Sequence, residues 1–214
     1  MIEENKKWIF LFLLAIIWGS SFILIKKGLI GLSPMQLGSL RIIISGFILF
    51  IVGFNSLKNL SKSSIKWIAL SGFLGTFFPA FLFAYAETEI DSAIASILNA
   101  IVPINTIVFG FLIFKINSNK KQVFGILIGF IGVTLLILNG ANINPNQNYW
   151  YTFLVIIATV MYAFNINIIK KYLQNIPPLT IAVGNFIVLI IPAFLVLIYS
   201  DFFSAQVLQG PNFS

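Results

Sequence analysis

WGSSFILIKKGLIGLSPMQLG, residues 18–38, reads as the end of one apolar segment, the pair Lys26–Lys27, a short Gly/Ser/Pro turn and the start of a second apolar segment. YAFNINIIKKYLQNIPPLTIA, residues 162–182, is a degenerate copy of it. Lys26 and Lys27 fall on Lys170 and Lys171, and Pro34 on Pro178, all at a shift of 144 residues (170 − 26 and 178 − 34) with no gap. A solenoid repeats every ~20–50 residues. A period this long reads instead as half of a duplicated membrane protein.

Composition points to the same solvent. Hydrophobic residues make up 59% of the 214 and charged residues 9%, with a mean hydropathy of +1.00. Soluble domains carry about 25% charge, so this chain could not hide its apolar surface in one core. Lipid must cover it. Cys and His are absent, which removes disulfides, thiol redox chemistry, haem and His/Cys zinc sites; no cofactor and no metal is expected. The net charge of +7 sits in short links between apolar runs, the membrane pattern rather than a nucleic-acid footprint.

A hydrocarbon core of about 30 Å needs roughly 20 apolar residues in helix. Seven stretches meet this, near 8–27, 35–54, 66–86, 92–114, 121–139, 150–169 and 179–199. Trp8–Ile25 runs 18 residues without a charge, longer than the ~7–15 of a signal-peptide core, so the first is a retained span. The expected fold is therefore an all-α polytopic membrane protein. Lysine placement sets its orientation. With the N-terminus cytoplasmic, ten lysines (6, 7, 58, 62, 66, 115, 120, 121, 170 and 171) lie inside, and only Lys26 and Lys27, with Arg41 near the end of span two, lie outside. Glu87, Glu89 and Asp91 then form an external acidic link between spans three and four.

The 144-residue shift lays spans one and two on spans six and seven. Five spans per unit is an odd number, so the second copy is inverted. Residues 1–140 make the first repeat; residues 141–214 hold the first two helices of the second. The shifted third span would begin at 210, and the expectation is a fragment with seven of ten spans.

Inside the spans, small and polar residues form stripes. Ser92, Ser96, Asn99, Pro103, Thr106 and Gly110 share one face of span four at spacings of three and four. Gly125, Gly129 and Gly132 extend a GxxxG element, whose ordinary use is close helix packing. Pro79 and Pro103 deprive the carbonyls of Gly75 and Asn99 of their helical donors, and in lipid such carbonyls need a new partner or a polar cavity. Trp18, Ser21, Asn99, Tyr162 and Asn165 could hydrogen-bond a solute or join helices. Asn167, two residues from Asn165, points about 200° away. Lys26 and Arg41 are either snorkelling end residues or a cationic rim for carboxylate solutes. No span carries a charge near its centre.

Enzyme signatures are missing: no GxxxxGK[ST], no His, no mid-span carboxylate. A lysine for retinal is also absent from 179–199.

WGSSFILIKKGL, the SP…LGSLR start of span two, SAIASILNAIVP in span four and GILIGFIGVTLLI in span five resemble the EamA-type branch of the drug/metabolite transporter superfamily. The similarity covers nearly the whole chain. It implies ten helices in two inverted five-helix repeats around a central cavity, in the inner or plasma membrane, exporting small metabolites such as amino acids. Trp18, Lys26, Arg41 and Pro103 match the family's recurrent positions. Where the family commonly has Gly-Glu after span four, Phe114-Lys115 stands here.

The reading is a secondary transporter, not an enzyme, whose partners are a small-molecule solute and the lipid bilayer, with a homodimer left open and no nucleic acid. Its candidate solute-binding residues are Trp18, Ser21, Lys26, Arg41, Ser96, Asn99, Pro103, Tyr162 and Asn165. A non-transporting membrane scaffold, or an enzyme with its catalytic groups elsewhere, is the alternative. If Arg41 forms a cationic rim, Arg41→Ala lowers flux of carboxylate solutes more than of neutral ones. Equal losses for both in a vesicle assay would remove the rim.

Overall fold

A computed structural model describes residues 2–117, 119–143 and 147–204. Among them there is no strand; nine α-helices follow in order. They are α1 (Ile2–Gly28), α2 (Pro34–Gly53), α3 (Lys62–Gly72), α4 (Phe78–Glu89), α5 (Ser92–Asn99), α6 (Val102–Leu112), α7 (Lys120–Ile143), α8 (Thr152–Tyr172) and α9 (Pro178–Tyr199). Six stretches of the described residues are long and apolar enough to cross a bilayer: Lys6–Gly28, Pro34–Lys58, Lys62–Glu89, Ser92–Leu112, Tyr149–Tyr172 and Pro178–Tyr199. Seven were expected. The remaining one, 121–139, is helical within α7, but some of its side chains fall outside the described residues and it is not among the six. The span expected to begin at 210 lies outside them altogether.

The turn at 29–33 shows why the opening stretch breaks where it does. Ser33 accepts from the Gln36 backbone N–H, and the Gln36 side chain accepts from the Ser33 N–H. This is a capping box, with Pro34 in the first helical turn where no N–H is missed.

Lys62–Glu89 is one span with a defect. Pro79 cannot donate to Gly75, and its ring would collide with that carbonyl. The chain answers with a five-residue π-helical turn, Phe73–Phe77, in which the Phe78 N–H bonds Phe73 O, five residues back. The amide of Asn165 lies against Gly75 where a Cβ would stand. Ser71 Oγ donates to Asn165 Oδ1 at 2.6 Å, joining α3 to α8. The Asn185 amide of α9 lies 3.3 Å from Ser71 Oγ; with that amide turned, it donates to the carbonyls of Ile68 (2.8 Å) and Ile181 (3.2 Å).

Ser92–Leu112 is broken too. The continuous face expected along span four ends at Asn99, because Pro103 supplies no N–H. Ala100 and Ile101 bond three residues back, to Ile97 and Leu98, and α6 starts afresh. The polar stripe therefore divides. Asn105 and Thr106 of α6 turn to α8, where Asn105 Nδ2 donates to Thr159 Oγ1 (3.0 Å) and Asn167 Nδ2 donates to Thr106 O (2.9 Å). Asn165 and Asn167 do face different helices, as their spacing predicts.

The most extensive helix contact among the described residues joins α2 to α9, which run antiparallel. Gln36 Nε2 at the start of α2 donates to Ser200 O at the end of α9 (2.7 Å). Thr180 Oγ1 at the start of α9 donates to Ser56 O just beyond α2 (3.2 Å). The two bonds interconvert under the 144-residue shift, which takes 36 to 180 and 56 to 200. Gly46 faces Ile190, its own counterpart, with 3.4 Å between the site of a Cβ and Ile190 Cδ1.

α7 is apart from this seam. A Cβ at Gly125, Gly129 or Gly132 would meet nothing within 4 Å, so these glycines mark no close helix approach among the described residues. α6 ends with Lys115 in the left-handed region (φ 57°), a conformation that suits glycine and costs a lysine about 1 kcal/mol.

Gly75→Ala places a methyl on the Asn165 amide inside a packed seam. A loss of about 1–3 kcal/mol is expected in a detergent unfolding series, most of it recovered in Gly75→Ala/Asn165→Ala. No recovery in the double variant would show that the two residues do not touch.

Candidate functional site

The ends of α1, α2, α4, α5 and α8 gather at one end of the bundle. Apolar packing builds the place first. Ile25, Leu37, Phe83, Ala84, Ala86, Ile90, Ile94 and Val155 form a buried cluster, with Tyr149, Tyr151 and Tyr162 packed on it. The α4–α5 corner is closed from outside by Gln147, whose side chain accepts from the Asp91 N–H (2.9 Å) and donates to the Asp91 carboxylate.

Inside this cluster lies Glu87, with none of its surface exposed. Its place follows from helix periodicity: Pro79, Phe83 and Glu87 recur every four residues on the inward face of α4, and all three are buried. The expectation of an external acidic link is corrected here. Glu89 is exposed, but Glu87 belongs to the span and turns into the bundle. One oxygen, Oε2, accepts from Ser92 Oγ at 2.8 Å; the other, Oε1, is buried without a hydrogen-bond partner.

Two cations flank it. Lys26 Nζ donates to the backbone carbonyls of Glu87 (2.6 Å) and Ile90 (3.1 Å). These carbonyls stand in the last turn of α4, where no further helical N–H reaches them, so Lys26 caps the helix. Its charge also acts on the carboxylate, as does that of Arg41 from α2. Arg41 acts on Tyr162 of α8 as well, while remaining exposed itself. Burying a carboxylate costs several kcal/mol, more than the ~1.5–3 kcal/mol of one charge-assisted hydrogen bond. Lys26 and Arg41 offset only part of that cost.

Of the nine candidates, the structure brings together Lys26, Arg41 and Tyr162, with Phe83 stacked on Tyr162 (centroids 6.1 Å apart). Trp18 points outward, 66% exposed. Ser21 donates to its own helix at Trp18 O (2.7 Å), and Ser96 likewise to Ala93 O (2.8 Å). Asn165 is engaged between helices. Asn99, at the α5–α6 break, has a buried Oδ1 without a partner. Pro103 borders a groove of about 370 Å³ with Ala100, Ile104, Ile107, Gln122, Gly125, Ile126 and Gly129. Only Gln122 is polar there, so the hollow expected beside Pro103 does not include Ser96 or Asn99. Glu87 and Ser92 are the residues that sequence reasoning missed as site members; the four-residue spacing from Pro79 is the signal that finds Glu87.

Among the described residues, no group of His, Cys, Asp and Glu could hold a metal. The opposite end of the bundle carries Trp67 stacked flat on Tyr172 (3.7 Å, 2°) and Lys171 Nζ donating to Phe114 O (2.9 Å). Lys66, Lys115, Lys170 and Lys171 thus share one end, and Lys26 and Arg41 the other.

Residues 6–138 match the EamA-like transporter family. An uncharacterized transporter of Archaeoglobus fulgidus is 27% identical over 190 residues, 88% of this chain and 66% of its own. The uncharacterized inner membrane transporter YedA of Escherichia coli K12 is 29% identical over 158 residues, covering 72% and 50%. A probable amino-acid metabolite efflux pump of Salmonella typhimurium is 29% identical over 139 residues, covering 61% and 44%. The chain spans between about half and two thirds of the length of the first two relatives. No solved structure matches it significantly.

Lys26→Ala leaves the Glu87 and Ile90 carbonyls without their donor and takes one cation from the carboxylate. A loss of about 1–3 kcal/mol is expected. Lys26→Arg should restore most of it, whereas full stability of the alanine variant would mean that the cap contributes nothing.

Proposed function

The chain belongs to the EamA-like transporter family, and we propose that it is a secondary transporter of small metabolites such as amino acids, an exporter working by alternating access between two inverted repeats. The observation that carries the reading is the reciprocal pair Gln36–Ser200 and Thr180–Ser56. A two-fold relation makes a contact from i to j recur from j to i. Here the recurrence runs between α2 and α9, which the repeat equates, and Gly46 meets Ile190 where the axis would pass. The antiparallel course of the two helices agrees with a second copy turned over in the membrane.

In this reading the lysine-rich end is cytoplasmic, N-terminus included, and Lys26, Arg41, Glu87 and Tyr162 stand at the outward mouth. Amino acids come from the resemblance and from the name of the Salmonella relative. Their carboxylate suits a mouth at which the Arg41 guanidinium is exposed. The π turn before Pro79 and the break before Pro103 are the places where spans three and four can flex without losing further backbone bonds.

The test is flux into proteoliposomes holding the protein, with a 14C-labelled mixture of amino acids. Counterflow above that of protein-free vesicles is expected. Vesicles that exchange nothing would favour the scaffold alternative.

A further inference from the structure

Glu87 asks for more than a rim. It is wholly buried near the end of a membrane span, and among the described residues one of its oxygens has no partner and its one hydrogen bond to a side chain comes from a neutral serine. Lys26, whose charge acts on the group, spends its donors on backbone carbonyls and not on the carboxylate. A carboxylate fixed for structure alone would be expected to use both oxygens.

We propose that Glu87 is a proton-binding site that couples a proton gradient to solute movement, an inference resting on the transport reading above. The step is one proton taken up, an O–H bond formed at Oε1 and one negative charge removed; the reverse releases the proton and restores the charge. Every element packed around the group has a part. The charges of Lys26 of α1 and Arg41 of α2 act on it, Arg41 acts in turn on Tyr162 of α8, and Ser92 of α5 holds Oε2. On its own helix Glu89 is exposed, and beyond the corner Asp91 is engaged by Gln147. Ionised, Glu87 attracts Lys26 and Arg41 and draws the ends of α1 and α2 onto the α4–α5 corner. Protonated, it loses that attraction and frees Arg41, while Lys26 stays bonded to the Glu87 and Ile90 carbonyls.

The experiment measures uptake of the 14C-labelled amino-acid mixture by proteoliposomes with and without an imposed pH gradient. In the wild type the gradient should raise uptake by up to about tenfold per pH unit imposed for one proton exchanged. In Glu87→Gln the ratio of the two rates should fall to about one, and in Glu87→Asp it should persist with a displaced pH profile. A glutamine variant that still follows the gradient as the wild type does overturns the coupling site and leaves the transporter standing. No flux from the wild type under any condition overturns both. Should the variants fail to fold, infrared titration of the wild type between about pH 5 and 9 decides. A protonated-carboxyl C=O band that grows as pH falls supports the site, and its absence overturns it.

Discussion

α2 lies along α9, and the bundle hangs on that contact because it is made by groups that lipid cannot satisfy. Gln36 and Thr180 reach across to the terminal carbonyls at Ser200 and Ser56, groups that would otherwise face hydrocarbon or its edge without a donor. Between them Gly46 lets Ile190 and Phe186 come close. Apolar attraction does little here, since lipid tails are as apolar as leucine; fit and hydrogen bonds hold membrane helices together. Gly53 plays a similar part lower down, its missing side chain filled by Val183 and Leu179.

The same need for partners explains the interior of the bundle. Two prolines break the backbone ladder in successive spans, and the chain repairs each locally: a π turn ahead of Pro79, tightened turns ahead of Pro103. Beside these repairs run the Ser71–Asn165, Asn105–Thr159 and Asn167–Thr106 bonds, which tie α8 to α3 and to α6. Each is worth only about 0.6 kcal/mol on average in a membrane. Modest bonds of this size can be exchanged as helices shift, which is compatible with a protein whose work requires movement.

Glu87 stands outside this economy of small bonds. A buried ion has a scale of several kcal/mol, and its surroundings must answer with charge. Lys26 answers while also finishing α4, and Arg41 answers from α2 while open to whatever arrives. The end of the bundle that holds Glu87 is thus the place in the described chain where strong and unequal forces meet. The rest of the bundle keeps five elements positioned around it.

Much of this was legible in the chain. The apolar spans, their turns, the Lys26/Lys170 period and the separation of Asn165 from Asn167 follow from hydropathy and helical geometry, which act over a few residues. Lys26, Arg41 and Tyr162 were legible as candidates because polar residues in apolar spans stand out. The α2–α9 seam was not, because a repeat reveals equivalence but not which equivalent parts touch. Nor was the repair of Pro79 and Pro103, since whether a freed carbonyl finds a neighbour depends on the neighbour. Glu87 shows the division best. Next to Glu89 and Asp91 it looks like one member of an acidic loop, and only the packing of α1, α5 and α8 around the end of α4 turns it inward. Sequence by itself determined which segments enter the membrane, because transfer into lipid depends on each segment's own composition. Tertiary structure alone decided which charge is buried, because burial is a property of the surroundings.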